Sequence, residues 1–316
     1  MIRAFKYIDD KVSVTKQPNE DLLKEAIWID VNEPSNEEME LISSISSLPV
    51  PSIEEIEEIE SSSHYESYDN GFLLNCLFLQ LIGRDDNSNS NVLFLLTKNQ
   101  IITIGKDEVP EIRLLRMYLK KDILKLTTPK EIFLKLMEMK LDRIADTIED
   151  SYKRLNKIGK SVLSVESDNI EEAMEDLAKE DDLLGMVRLC LMDTQRDLLL
   201  LQKRKSRWLL EDKEEIADML VDIETLMPHN TFLSEKTDFL MNAAQGFINI
   251  QQNKIIKIFS IASVVFLPPT LIASIYGMNF HFMPELSWKI GYPFAIGLMI
   301  LSGITPYIIF KKKGWL

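Results

Sequence analysis

The chain is poor in the residues that most often carry metal or redox chemistry. Its 316 residues include two cysteines and three histidines. Cys76, in Leu74-Asn75-Cys76-Leu77, and Cys190, in Arg188-Leu189-Cys190-Leu191, have no second Cys or His at ligand spacing, which predicts buried, reduced thiols. His64, His229 and His281 are scattered and form no zinc motif. A phosphate-binding glycine loop, a nucleophile elbow and a paired-cysteine cluster are all missing, so the sequence offers no catalytic residue and no cofactor site. Positive charge is also scarce over most of the chain. Residues 1–253 hold 30 Lys and Arg against 49 Asp and Glu, a net of −19, whereas residues 254–316 hold 6 against 1, a net of +5. So acidic a part is a poor partner for nucleic acid, whose phosphates need a cationic surface. It attracts cations instead, although acidity also simply keeps a soluble domain in solution.

Uncharged apolar sequence is confined to the C-terminal end. Ile258 to Tyr276 is 19 residues without a charge and Ile290 to Phe310 is 21. At about 1.5 Å per residue, each is long enough for a hydrocarbon core of roughly 30 Å. Lys254 and Lys257 precede the first span and Lys311, Lys312 and Lys313 follow the second. The connecting loop, 277–289, contains Glu285 and no cation before Lys289. The positive-inside rule therefore puts both termini in the cytoplasm and the loop outside, as expected for a multi-pass protein of a bacterial inner membrane. Met1 to Lys11 has only a short apolar stretch and carries Asp9 and Asp10, unlike a secretory signal or a transit peptide.

Upstream of the spans the hydrophobic period changes once. Over residues 1–125, Ile2 to Tyr7, Val12 to Thr15, Ala26 to Val31, Asn91 to Thr97 and Ile101 to Ile104 read as strands. Ser35-Asn36-Glu37-Glu38 and Ser52-Ile53-Glu54-Glu55 are capping boxes that open helices. The Asp69-Asn70-Gly71 turn joins His64 to Tyr68 with Phe72 to Ile82 in a hairpin, and Asp85 to Ser90 reads as an exposed connection. From Thr128-Pro129-Lys130-Glu131 the period becomes helical, with Ile132, Leu136, Ile144, Ile148 and Leu155 on one face. A break at Ser167 to Ile170 precedes a second long helix from about Glu171 to Lys205. A third helix, started or kinked at Pro228, runs into the first span without a further break. The expected architecture is an α+β membrane protein. It comprises an α/β cytoplasmic domain with a mixed sheet (1–125), a region of long antiparallel helices and a stalk (126–253), and a transmembrane pore region (254–316).

Two helices cannot enclose a water path, so a conducting protein must be an oligomer with one helix per copy on the axis. Asn253, Ile256, Ser260, Ser263, Leu267, Thr270 and Ser274 recur at three- and four-residue steps and form a stripe rich in small or polar residues down the first span. The same residues also suit close helix packing, as Gly291, Gly297 and Gly303 do in the second span. Pro268-Pro269 frees backbone carbonyls inside the first span, marking either an ion-facing turn or a packed kink.

The motifs around these spans resemble the CorA magnesium transporters. They are Tyr276-Gly277-Met278-Asn279-Phe280, Phe282-Met283-Pro284-Glu285-Leu286, Gly291-Tyr292-Pro293 and Lys311-Lys312-Lys313-Gly314-Trp315-Leu316. Val187 to Arg196 and Phe247-Ile248-Asn249-Ile250 are similar to the enterobacterial branch, so the resemblance covers the whole chain. It implies a homopentamer with a funnel-shaped cytoplasmic part, a stalk helix continuing into the pore-lining span, and the second span outside it. Carried over, the Asn279 side-chain oxygen and Gly277 carbonyl ring the external mouth, with Met278 between them. The family's pore-facing positions fall on Asn253, Ile256, Phe259, Ser263, Leu267 and Thr270. Phe259 and Ser260 are the disagreement with the stripe.

Such a mouth suits magnesium. Mg²⁺ holds octahedral water at about 2.0–2.1 Å and dehydrates reluctantly, and neutral amide and carbonyl oxygens bind its waters without stripping them. Co²⁺ and Ni²⁺ form hydrated ions of similar size and are expected to pass. Ile256, Phe259 and Leu267 would constrict the path by dewetting. The resemblance further implies closure by intracellular Mg²⁺, with gapless counting placing a sensing carboxylate at Asp218. Glu285 either draws cations to the entrance or folds the loop. A Zn²⁺ transporter of the same superfamily and a membrane-anchored sensor or scaffold without flux are the competing readings.

Overall fold

A computed structural model describes residues 1–8, 11–57, 65–81, 87–163, 170–203, 213–279, 281 and 283–314. These residues form two compact units, Met1–Met241 and Asn242–Leu316. Asp9, Asp10, His64, Ile82, Asp85, Ser167, Lys205, Phe280, Phe282, Trp315 and Leu316, all named above, lie outside the described residues.

The first unit is built on a mixed sheet. Strands β1 (Ile2–Ile8), β2 (Lys11–Lys16), β3 (Trp28–Asn32), β4 (Tyr65–Tyr68), β5 (Gly71–Leu81), β6 (Asn87–Thr97) and β7 (Ile101–Gly105) lie in the order β2-β1-β3-β7-β6-β5-β4. All neighbours are antiparallel except β3 and β7, which are parallel, with Trp28 opposite Ile101. The expected hairpin forms, with Tyr68 pairing with Gly71 across Asp69-Asn70, but Gly71 opens the second strand instead of sitting in the turn, and neither loop residue has the positive φ of a primed Asn-Gly turn. Only glycine fits at 71, because a Cβ there would stand 2.1 Å from the Leu96 carbonyl oxygen on β6. Short helices α1 (Glu20–Glu25), α2 (Asn36–Ile45), α3 (Ile53–Glu57) and α4 (Pro110–Lys120) complete this part. Both capping boxes are made: the Glu38 amide donates to Ser35 Oγ at 3.2 Å and the Glu55 amide to Ser52 Oγ at 3.3 Å.

One expected loop is a strand. Residues 87–90 belong to β6, whose register with β5 extends to Asn87 opposite Leu81. The alternation Asn87-Ser88-Asn89-Ser90-Asn91 is polar on both faces, which makes it read as a loop. Its side chains nevertheless have partners in the fold. Asn89 Nδ2 donates to the Met186 carbonyl at 3.2 Å, Asn91 Nδ2 to the Ile56 carbonyl at 2.8 Å, and Ser90 Oγ to Asp107 Oδ2 at 3.0 Å.

Three long helices follow: α5 (Pro129–Leu163), α6 (Ile170–Lys203) and α7 (Lys213–Tyr276). The face of α5 with Ile132, Leu136, Ile144, Ile148 and Leu155 is buried, as the period predicts. Between α5 and α6, Arg154 pairs with Glu180 at one end and Lys140 faces Asp193 and Asp197 at the other. Between α6 and α7, Asn230 Nδ2 donates to the Leu184 carbonyl at 3.2 Å, and Asp181 faces Asp238. Helix α6 is thus antiparallel to both α5 and α7. Lys236 Nζ of α7 donates to Asn156 Oδ1 of α5 at 2.6 Å, and Arg143 of α5 pairs with Glu111 of α4. Pro228 neither starts nor ends α7, which begins 15 residues earlier and stays helical. The carbonyl that Pro228 leaves without an amide donor belongs to Glu224, an exposed residue, so the missing bond does not fall in the core.

Helix α6 also closes the sheet. Beyond Leu74 the outer side of β5 has no strand partner among the described residues, and an open row of backbone groups is costly to bury. Asp193 Oδ2 accepts from the Leu77 amide at 2.8 Å and Cys190 Sγ donates to the Leu77 carbonyl at 2.8 Å. One turn of helix thus supplies what a neighbouring strand would. Both thiols are buried and unbridged, as predicted from their context.

In the second unit the last part of α7 and α8 (Gly291–Lys312) are long and apolar enough to cross a membrane. Their apolar windows are 0% and 6% buried, unlike core helices of a soluble fold.

Candidate ion pathway

Helix α7 ends at the Gly-Met-Asn triplet for a local reason. Gly277 caps the last turn, its amide donating to the Ala273 carbonyl at 2.9 Å, and Met278 follows with a bond to the Ile275 carbonyl at 3.2 Å. A Cβ at Gly277 would stand 3.2 Å from the Ala273 carbonyl oxygen, a tight fit. Gly277, Met278 and Asn279 are all exposed, and among the described residues no donor occupies the Asn279 amide oxygen. The triplet therefore presents neutral oxygens where the helix stops.

Beyond it, Pro284–Ser287 forms a single 3-10 turn, with Ser287 Oγ donating to the Pro284 carbonyl at 2.7 Å. The carbonyl oxygen of Glu285 lies against the first residue of α8: a Cβ on Gly291 would stand 2.4 Å from it. The Glu285 side chain is exposed while its backbone is fixed against Gly291. Both roles expected of this residue are thus compatible with one geometry.

The stripe on α7 also has a definite place. Gly303 of α8 sits on Pro269 and Val265: a Cβ there would be 3.3 Å from Pro269 Cγ and 3.4 Å from the Val265 carbonyl oxygen. Val265, Phe266 and Pro269 face Met299, Ile300, Gly303, Ile304 and Tyr307 across a shallow apolar groove. At about 100° per residue, Val265 and Pro269 lie roughly 200° from Ser263 and Leu267. The second helix thus covers one face of α7 and leaves the stripe bare on the other. Asn253, Ile256, Phe259, Ser260, Ser263, Leu267, Thr270 and Ser274 are all exposed in the isolated chain. Exposure reaches 61% at Ile256, 70% at Phe259 and 65% at Leu267, and is as high at Phe266 on the rim of the groove (69%), so in the isolated chain the apolar part of α7 is bare except under α8. Phe259 and Ser260 flank the axis of this bare face, one on each side.

Hydroxyl groups on that face are oriented. Ser263 Oγ donates to the Phe259 carbonyl at 2.9 Å and Thr270 Oγ1 to the Phe266 carbonyl at 2.7 Å. Their protons are held by their own helix, which leaves oxygen lone pairs to accept from water. Acceptors are the polarity that the shell of a hydrated cation requires.

Other residues singled out in the sequence lie elsewhere. Asp218 is exposed near the start of α7, which Ile216, Met219 and Ile223 anchor in the first unit. Of the three glycines in α8, Gly291 packs on the loop and Gly303 on α7, but a Cβ on Gly297 would meet nothing within 4 Å. No group of three or more His, Cys, Asp or Glu that could hold a metal is present among the described residues. The pairing of Gly303 with Pro269 is not legible in the sequence. Its one signal there is the Pro-Pro pair, whose freed carbonyls require some neighbour.

Comparison with known proteins identifies the group. The sequence profile of the CorA-like Mg²⁺ transporter proteins matches residues 24–312, so the chain belongs to that family, one of transporters rather than enzymes. The magnesium transport proteins CorA of Pectobacterium atrosepticum, Yersinia pseudotuberculosis and Escherichia coli K12 are 42%, 41% and 41% identical to it over 317 residues, with 100% of each chain covered. Among solved structures, the complete CorA magnesium transporter from Methanocaldococcus jannaschii superposes with a TM-score of 0.77 over 100% of this chain and 99% of that one, at 19% identity. The full-length CmaX protein superposes with a TM-score of 0.73 over 99% and 97%, at 12% identity. These likenesses establish the fold: an α/β part, long helices and two C-terminal apolar helices.

Proposed function

We propose that this chain forms a Mg²⁺ influx channel in a bacterial inner membrane, selecting the hydrated ion at Gly277-Met278-Asn279. The observation that carries the reading is the split of α7 into two faces. One is covered by α8, and the other runs bare from Asn253 to Ser274 and stops at the triplet. A face that α8 leaves bare inside a membrane is the one available to other copies of the chain and to an axial path. The names of the relatives supply the ion, and the neutral oxygens of the triplet are suited to it.

The assembly in this reading is a homopentamer in the lipid bilayer, the number following from the family. Exposed apolar residues on α7 upstream of the span support oligomerisation: Val221, Phe232, Phe239 and Ile250 are large, bare and 7 or 11 residues apart. Both termini face the cytoplasm. The cytoplasmic part comprises residues 1–125 and 126–253, the pore region is 254–316, and the spans are 258–276 and 290–310. Ile256, Phe259 and Leu267 narrow the path, while Ser260, Ser263, Thr270 and Ser274 wet it. Co²⁺ and Ni²⁺ pass for the same reason as Mg²⁺. Intracellular Mg²⁺ closes the path by bridging acidic protomers, with Asp218 among the carboxylates. Glu285 adds negative charge near the entrance.

The test is Mg²⁺ uptake into proteoliposomes holding the purified protein, driven by an inside-negative potential, compared with Asn279→Ala. Uptake by the native chain and its loss in the variant, with oligomer size retained, is the expected result. Equal uptake by both would remove the triplet from ion selection, and an inert native chain in verified vesicles would leave the sensor reading in its place.

A further inference from the structure

Two consecutive prolines near the C-terminal end of α7 leave the carbonyls of Val264 and Val265 without their usual helical donors. A helix so interrupted is free to bend and to rotate one half against the other, unless a neighbour fixes it. The neighbour is Gly303. Its lack of a side chain lets α8 come close, since a methyl would lie 3.3 Å from the Pro269 ring, a tight contact, and 3.4 Å from the Val265 oxygen. The contact lies on the opposite side of α7 from Leu267, and Thr270 follows Pro269 about 100° round the helix; the two residues immediately flank the proline pair in sequence. Both residues belong to the bare face, and Leu267 is the large apolar side chain nearest the external end of the stripe.

We infer that Gly303 is a positioning residue for the pore: its contact with Pro269 sets the rotation of the proline-interrupted segment and so the distance of Leu267 and Thr270 from the axis. The inference rests on the channel reading above. Gly303 touches no ion. It acts through Pro269, and what it controls is how wide the path is, not how the ion is recognised at Asn279.

Its consequences separate from those of the triplet. Adding a methyl with Gly303→Ala requires the Pro269 ring to give by a few tenths of an ångström, which shifts the proline segment against α8. Maximal uptake is expected to change about tenfold while half-saturating external Mg²⁺ stays as in the native chain, because the mouth is untouched. Pro269→Ala removes the ring carbon that the methyl meets and restores an amide donor for the Val265 carbonyl. In the Gly303→Ala background it is expected to return maximal uptake to within about twofold of Pro269→Ala alone.

The experiment is the four-member cycle of native chain, Gly303→Ala, Pro269→Ala and the double variant. Each is assayed in proteoliposomes for maximal uptake and half-saturation, and in detergent for thermal unfolding. Coupling in uptake supports the inference. Native-like uptake by Gly303→Ala, or effects of the two substitutions that simply multiply in the double variant, overturns it. Coupling seen in the unfolding temperature but not in uptake also overturns it, since the contact would then only stabilise. If Gly303→Ala cannot be reconstituted, Pro269→Ala alone decides the matter: unchanged maximal uptake overturns the inference. Failure of the channel reading is distinct, because there the native chain itself carries no Mg²⁺.

Discussion

Asp197 is 0% exposed and Lys140 is 1% exposed, each on a different long helix, with Cys76, Cys190 and Asp193 around them. Lys140 also lies 4.8 Å above the Phe78 ring. Burial alone would lower the Lys140 ammonium, but the surrounding thiols and carboxylates hold it above its ordinary value. Burial, reinforced by the neighbouring Asp193 charge and opposed by Lys140, pushes Asp197 up to about 7. Ionised Asp197 is therefore less favourable in the folded chain than in the unfolded one, and the folded state binds the extra proton between the ordinary carboxylate range and about pH 7. Stability from this group is greatest below that range, falls as pH rises through it, and levels off above about 7. Asp197→Asn cannot titrate, so its thermal unfolding temperature should fall less than that of the native chain between pH 5 and pH 7.5, and the variant should gain most at the alkaline end. Glu111, Asp142 and Asp181 are also raised, by burial first, so part of the slope should remain. An unchanged slope in circular-dichroism melts would show that Asp197 is not the titrating group.

At the scale of elements, period and capping residues make most of the fold legible. Strand alternation and two capping boxes each produce what local chemistry demands, the hairpin forms although its loop is Asp69-Asn70 instead of the Asn-Gly pair, and the uncharged runs identify the two apolar helices. The errors have physical causes. Asn87 to Ser90 is polar on both faces because side chains of this stretch and of Asn91 bond to α3, α6 and the β7–α4 connection, none of which period can reveal. Pro228 stays within a helix, and the carbonyl it frees belongs to an exposed residue, Glu224. The stripe on α7 is readable as a period, but which face α8 covers is not, because that depends on Gly303 meeting Pro269. The loop between the helices shows the same limit. Its motif is visible in the sequence, whereas the approach of Gly291 to the Glu285 carbonyl is tertiary. That approach makes a prediction for the element. Gly291→Ala would place a Cβ 2.4 Å from backbone that cannot swing away, so the 3-10 turn must shift. Half-saturating Mg²⁺ should rise severalfold in Gly291→Ala, whereas Glu285→Gln, which keeps the backbone and removes only the charge, should change it by about twofold or less at physiological salt. Equal effects of the two variants would assign Glu285 to ion attraction instead.

For the whole molecule, charge is divided between the two ends of the sequence. Residues 1–253 carry −19 and residues 254–316 carry +5, so a pentamer would gather a large negative charge on its cytoplasmic side. Repulsion among like-charged copies favours separation, and a divalent cation shared between them opposes it more effectively than screening by monovalent salt. The acids are already crowded within one chain. Asp142 is raised by burial and by Glu138, Asp146 and Asp222, and Asp181 by burial and by Asp238 and Asp182. Added carboxylates from a neighbouring copy would intensify that repulsion, which intracellular Mg²⁺ would relieve. Asp218, exposed on α7, is free to contribute such a ligand. Its replacement in Asp218→Ala should raise the internal Mg²⁺ needed for half-inhibition of uptake roughly five- to tenfold, leaving uptake at very low internal Mg²⁺ unchanged. Potassium chloride at matched ionic strength should not substitute for Mg²⁺ in closing the native channel. Inhibition curves that superpose for native and Asp218→Ala proteins would exclude this carboxylate from the sensor, while closure by potassium chloride alone would reduce the mechanism to simple screening.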